Sequence, residues 1–227
     1  MIARSALVVA AHPDDEALGC GGTIARLASE GAEVHLLFLA DGVGARGGEG
    51  PDPDSLADRR RMGDEAARIM GAQAPVYLDF PDNRLDGVDL LDVVAEVERV
   101  VRTIRPELVI THFAGDLNVD HRIAAQAVLT AFRPTPGQSV RSIYSFEVPS
   151  STEWAFGAAG QAFQPNLFVD ISATLQAKLA ALDAYGEEMR AFPHPRSAQA
   201  VKALAQYRGA SAGVDAAEAF LLLRMVQ

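Results

Sequence analysis

Two kinds of hydrophobic pattern alternate along the chain: short continuous apolar runs, and longer stretches with apolar residues every three or four positions. The run Ala6-Leu7-Val8-Val9-Ala10-Ala11 predicts a strand over 5–11, buried on both faces. A loop over 12–18 and a helix over about 19–30, closed by Gly31, follow it. A second strand covers 34–39, and the glycines and prolines of 43–54 predict a loop. Next come a helix over 56–70 and a short strand over 76–78. Leu90, Leu91, Val94, Val97, Val100, Val101 and Ile104 keep a 3.6-residue period, so 89–104 reads as a helix ended by Pro106.

The alternation continues with a strand over 108–111, a helix to about 132 and strands over 141–148 and 166–170. Helices over 172–189 and 197–208 follow, and 219–225 reads as a last strand or the end of a helix. Strands alternating with helices predict one α/β domain over 1–227, a mainly parallel sheet with helices on both faces. Its C-terminal third is less regular.

Composition narrows the function. With 49% hydrophobic residues in 227, the chain can bury a large core without disulfides or a structural metal. The single cysteine, Cys20, excludes an internal disulfide and a thiolate zinc site, and fits a reducing cytoplasm. No stretch has the roughly 20 apolar residues of a membrane span, and the first residues lack the pattern of a signal peptide. A net charge of −10 argues against nucleic-acid or anionic-membrane partners.

The chemistry concentrates where the first strand ends. His12-Pro13-Asp14-Asp15-Glu16 stands between a buried strand and Gly19-Cys20-Gly21-Gly22, at the place where an α/β sheet opens its binding crevice. Two donors three residues apart plus a third from a distant loop is the layout of a catalytic zinc site that keeps a position open for water. His12 and Asp15 are the first two, and His121, also a short loop after a buried strand, is the natural third. Asp14 is then the candidate general base. A two-His, one-carboxylate set also suits Fe(II). The plainer alternative reads the acids as first-turn residues favoured by a helix dipole. The glycines do not spell a dinucleotide fingerprint and instead suit tight packing of the helix on the sheet.

Ala11-His12-Pro13-Asp14-Asp15-Glu16, with the later Asp120-His121, resembles the PIG-L (LmbE-like) zinc N-deacetylases, and the resemblance extends over nearly the whole chain. It implies a Rossmann-like α/β fold and removal of acetyl groups from N-acetylglucosamine units of glycoconjugates. It implies zinc on His12, Asp15 and His121, with Asp14 as base, and aligns Arg59 with an arginine that lines family active sites. Family members often assemble as trimers or hexamers. Many members carry a histidine where this chain has Asn118, and a glutamate where it has Met62. Asn118 can donate to a developing oxyanion but cannot act as an acid. Proton return to the leaving amine then falls to Asp14 or to His194, which prolines fix on both sides in a loop that reads as carrying an acid or a substrate contact over the pocket.

Asp120 reads either as a brace for a ligand histidine or as a helix N-cap. His112 and His35 read as structural histidines. Trp154 reads as packing, or as a sugar-stacking ring. Of Arg59, Arg60, Arg61 and Arg46, solvated surface is the plain reading and a phosphate contact the sharper one. The sequence thus points to a metal-dependent amide hydrolase acting on a small N-acetylated amino sugar or its conjugate. A different amide, such as an antibiotic or thiol conjugate, and a non-catalytic sugar-binding module are the alternatives.

Overall fold

The computed structural model describes residues 3–44, 53–157, 162–186 and 188–227. Its strands are β1 (Ser5–Ala10), β2 (Glu33–Ala40), β3 (Val76–Phe80), β4 (Leu108–His112), β5 (Ser142–Phe146), β6 (Leu167–Asp170) and β7 (Ala217–Met225). Its helices are α1 (Asp15–Ser29), α2 (Pro53–Met70), α3 (Leu90–Ile104), α4 (Val119–Ala131), α5 (Leu175–Ala184) and α6 (Ala198–Ala212). The seven strands form one sheet in the order β3-β2-β1-β4-β5-β7-β6. Every pairing from β3 to β5 is parallel, whereas β7 runs antiparallel to both β5 and β6.

Side-chain alternation on β1 splits the core into two layers. Ala6, Val8 and Ala10 pack with Ile24 of α1, Met70 of α2 and Leu182 of α5; Leu7, Val9 and Ala11 pack with Val97 of α3 and Val128 of α4. That two-sided burial explains why β1 is a continuous apolar run rather than an alternating one. Strand order reverses about β1, so the loops after β1 and β4 diverge and leave a crevice at their carboxyl ends.

Several boundaries move. α1 begins at Asp15 rather than near residue 19, because Asp15 and Glu16 supply a favourable acidic first turn. A kink at Cys20 (φ −146°) then divides it, and Glu218 accepts the freed Gly22 and Thr23 amides at 2.9 and 2.7 Å. The glycines serve contact: a Cβ on Gly19 would stand 2.2 Å from Phe146 Cδ2, and one on Gly22 2.7 Å from Ile171 Cδ1. α5 is shorter than the 172–189 read from the sequence. α6 runs past 208 to Ala212, where Gly213 (φ 78°) closes it. Residues 219–225 are strand, not helix.

Candidate active site

Seven segments meet in the crevice: the loops after β1, β2, β3, β4 and β5, helix α2, and the stretch between α5 and α6. Together they line a cleft of about 140 Å³ that includes His12, Asp14, Arg59, Asn118, His121 and Arg196. The cleft stands at the strand ends where open α/β sheets place ligands.

Asp15 is fully buried and is the hub. Its Oδ2 lies 3.3 Å from His12 Nδ1 and 3.3 Å from His121 Nε2, and accepts the His12 amide at 3.0 Å. These three side chains can each present a ligand atom within 4.8 Å of the others. The outward nitrogens of both histidines are held by carboxylates. His12 Nε2 lies 3.0 Å from Asp120 Oδ2 and 3.1 Å from Asp82 Oδ1. His121 Nδ1 lies 3.1 Å from Asp116 Oδ1, paired by charge rather than through an aligned hydrogen bond. Ligating histidines characteristically have such partners.

The group fits a divalent cation. Asp15 Oδ1 is buried without a hydrogen-bond partner, a costly arrangement unless a cation takes it. A neutral imidazole from each histidine with one carboxylate is a donor set suited to Zn²⁺ or Fe(II). His12, Asp82 and Asp120 form a second compact triad. There, however, the Asp120 oxygens already accept the Asn83 amide at 2.7 Å and the Leu85 amide at 3.0 Å. That triad is the clamp on His12.

Electrostatics follow from this crowding. Burial opposes charge on both histidines, but the carboxylates outweigh it. His121 is pushed up to about 9 by Asp15 and Asp116, and His12 is raised well above 6.5 by Asp120, Asp15 and Asp82. Asp15 is the converse: burial would raise it, yet His121 and His112 hold it well below the usual carboxylate range. Burial lifts Asp14 to about 6 against the lowering pull of Arg196 and Arg59.

Asp14 occupies a backbone conformation that a non-glycine residue rarely adopts (φ 124°), a strain worth about 1–3 kcal/mol that clusters at functional sites. Glu16 holds it there: Glu16 Oε2 accepts the Asp14 amide at 3.0 Å, and Oε1 accepts the Tyr185 hydroxyl at 2.8 Å. Burial raises Glu16 to about 8. Asp15 and Glu16 are thus first-turn acids of α1 and also line or brace the cluster.

Asn118 takes the N-cap of α4, its Oδ1 accepting the Asp120 amide at 2.8 Å while its Nδ2 donates to Asn83 Oδ1 at 2.9 Å. The capping alternative for Asp120 thus gives way, because Asn118 does that work and leaves the Asp120 carboxylate to His12. His112 Nε2 accepts the Ala11 amide at 2.8 Å, the structural bond expected, and its ring stacks on His121 at 4.0 Å. His35 is half-buried on β2 beside Glu33.

Of the arginine run, Arg59 turns inward and is 5% exposed. Its Nη1 donates to Pro13 O at 3.1 Å and its Nη2 to Glu188. Arg60 and Arg61 instead make exposed ion pairs with Asp79 and Asp58. Arg46 lies outside the described residues. Met62 packs against the core. His194 is not among the residues lining the cleft: its Nδ1 accepts the Arg196 amide at 3.1 Å, and its ring meets Trp154 edge-on at 5.6 Å.

Sequence reading missed Asp82, Asp116, Glu188 and Arg196. The first two follow β3 and β4 directly, a position that could have nominated them. Glu188 and Arg196 are brought in by the packing of α5 and α6, which no local signal announces.

The PIG-L family profile, described as GlcNAc-PI de-N-acetylase, matches residues 7–132. A diacetylchitobiose deacetylase from Thermococcus kodakarensis is 31% identical over 187 residues, covering 79% of this chain and 68% of that protein. The conserved protein TT1542 from Thermus thermophilus superposes with a TM-score of 0.76 at 31% identity, covering 98% of this chain and 96% of that one. The 4-carboxy-2-hydroxymuconate hydratase GalB of Pseudomonas putida KT2440 superposes at 0.77 with 25% identity, covering 99% and 98%. One fold therefore carries different reactions, and the reaction has to be argued from the site. On the extent of the matched profile, the chain belongs to the PIG-L family of de-N-acetylases.

Proposed function

We propose that the whole chain works as one metal-dependent amide hydrolase that removes the acetyl group from an N-acetylated amino sugar or its conjugate. The observation that carries this is the placement of Asp14, a buried, strained carboxylate, beside the His12–Asp15–His121 cluster. Deacetylase relatives and the family profile support the substrate class.

His12, Asp15 and His121 would hold Zn²⁺, with Fe²⁺ the alternative, while Asp120, Asp82 and Asp116 orient the two imidazoles. Bound there, the cation would supply Lewis acidity towards the acetamide carbonyl and lower the pKa of a water molecule. Asp14, lining the same cleft, takes the water's proton as it attacks the carbonyl carbon. Asn118 has a second Nδ2 hydrogen besides the one given to Asn83, and it donates to the developing oxyanion. Asp14 then returns the proton to the amine as the C–N bond breaks, and acetate leaves. His194, one layer out, is left with a loop-bracing role. A cleft of about 140 Å³ admits the acetamide end of a substrate and leaves the remainder outside. The buried, unpaired Cys20 is compatible with a reducing cytoplasm, and among the described residues no helix is long and apolar enough to cross a membrane.

The test is acetate release from a panel of N-acetylhexosamines and their conjugates by metal-loaded protein, beside Asp14→Asn. We expect release by the wild type and a loss of at least about a thousandfold in the variant with metal retained. Near-normal turnover would remove Asp14 from the base role. Acetate only from another amide would move the substrate class, and bound sugar without turnover would favour the binding module.

A further inference from the structure

Asp14 is held by a charge that comes from outside the family-matched stretch 7–132. Its Oδ2 accepts from Arg196 Nη1 at 2.8 Å, and its Oδ1 makes no hydrogen bond among the described residues. Arg196 is itself fixed on three sides. Its Nε donates to Ser150 Oγ at 2.8 Å, its Nη1 lies 3.8 Å from Glu188 Oε2, and its amide donates to His194 Nδ1 at 3.1 Å. The next residue, Ser197, caps α6 by accepting the Ala200 amide at 3.1 Å, which anchors the loop.

A carboxylate turns easily about its last torsion, which is broad and roughly two-fold. Glu16 and the φ of 124° fix the Asp14 backbone, but neither decides which oxygen faces the cleft. An arginine on one oxygen decides it. Arg59 cannot serve instead, because its Nη1 stands 3.8 Å from the same oxygen and is committed to Pro13 O.

Resting on the deacetylase reading, we propose that Arg196 is a positioning residue for the general base: by holding Oδ2 it leaves Oδ1 to handle the proton. Oδ1 takes the proton of the water whose oxygen bonds to the carbonyl carbon. The same proton goes from Oδ1 to the amine nitrogen as the C–N bond breaks, so Asp14 ends as it began. The loop between α5 and α6 thereby becomes part of the reaction centre, although it lies beyond the residues that the family profile matches.

The experiment is a double-mutant cycle: kcat and KM for acetate release by Arg196→Ala and Arg196→Lys, each with Asp14 intact and with Asp14→Asn. Metal content is measured throughout. A base presented through the wrong edge is misplaced by about 1 Å, which costs on the order of a hundredfold. Arg196→Ala should therefore lower kcat by roughly that factor, with KM within about threefold and metal content unchanged. Arg196→Lys should recover part of the loss, because an ammonium can bond Oδ2 but cannot also hold Ser150. With Asp14→Asn in place, Arg196→Ala should change kcat by less than about twofold, since acting through Asp14 makes the two losses non-additive.

A raised KM with kcat intact would overturn the proposal in favour of a direct substrate contact. So would a full loss repeated in the Asp14→Asn background. If Arg196→Ala does not fold, Arg196→Lys and Ser150→Ala complete the same cycle. A second readout needs neither metal nor turnover. The Asp14 carboxyl carbon resonance in metal-free protein should move in Arg196→Lys and stay in the surface control Arg61→Lys; an unmoved resonance overturns the contact. A wild type that releases no acetate while that resonance still moves overturns the deacetylase reading and leaves the Arg196–Asp14 pairing standing.

Discussion

Adding Zn²⁺ to metal-free protein should expel protons. A cation on His12 and His121 needs neutral imidazoles, yet in the metal-free site both rings face carboxylates on two sides. With His121 near 9, its ring is protonated at pH 7, and the carboxylates around His12 favour its protonated form too. Binding should thus release about one proton per ion from His121, with a further release from His12, and affinity should rise roughly tenfold per pH unit for each histidine that titrates. The sign for folding is opposite. Because the folded-state value of His121 exceeds the unfolded 6.5, its contribution to metal-free stability is complete below pH 6.5. It is lost as pH climbs through about 9. Metal-free protein should therefore lose stability between those values while its zinc affinity increases. Calorimetric titration in buffers of different ionisation enthalpy counts the protons directly. Release below about 0.5 proton per ion, with affinity flat from pH 6.5 to 8.5, would refute the carboxylate-braced histidine cluster as the metal site.

Three further outcomes follow from particular contacts. Asp116→Asn keeps an acceptor near His121 but removes the charge 3.1 Å from its Nδ1; chelator competition should show metal affinity at high pH weakened about 10–100-fold. Lys178→Met breaks a pair buried to 3% and 5% exposure, whose ammonium bonds Glu218 at 2.6 Å and Leu18 O at 2.7 Å. Chemical denaturation should show a loss of about 3–5 kcal/mol, since Glu218 keeps its burial without its counter-charge. Gly19→Ala drives a methyl to 2.2 Å from the buried Phe146 ring, whereas nothing lies within 4 Å of a Cβ on Gly87. Thermal unfolding should report a loss of at least about 1–3 kcal/mol for the first and little for the second.

What the sequence determined by itself is the scaffold and the head of the site. Local patterns carry that information: β1 is apolar without alternation because both its faces are covered, and α3 repeats every 3.6 residues because only one of its faces is. His12, Asp14 and Asp15 were legible because they lie within one turn of chain, at the end of a strand whose burial could be read. His121 was legible because it stands in the same relation to β4. The tertiary structure decided the rest. Asn118 rather than Asp120 caps α4, Arg59 alone of three neighbouring arginines turns inward, and Arg196 rather than the nearby His194 reaches the cleft. The basic groups are settled by which carboxylate waits across a gap that the chain closes only on folding: Asp82 for His12, Asp116 for His121, Glu188 for Arg59 and Asp14 for Arg196. The partners of Arg59 and Arg196 lie 129 and 182 residues away along the chain. Propensity and periodicity act over a few residues, whereas a buried charge is placed by whichever opposite charge the packed sheet and helices deliver beside it.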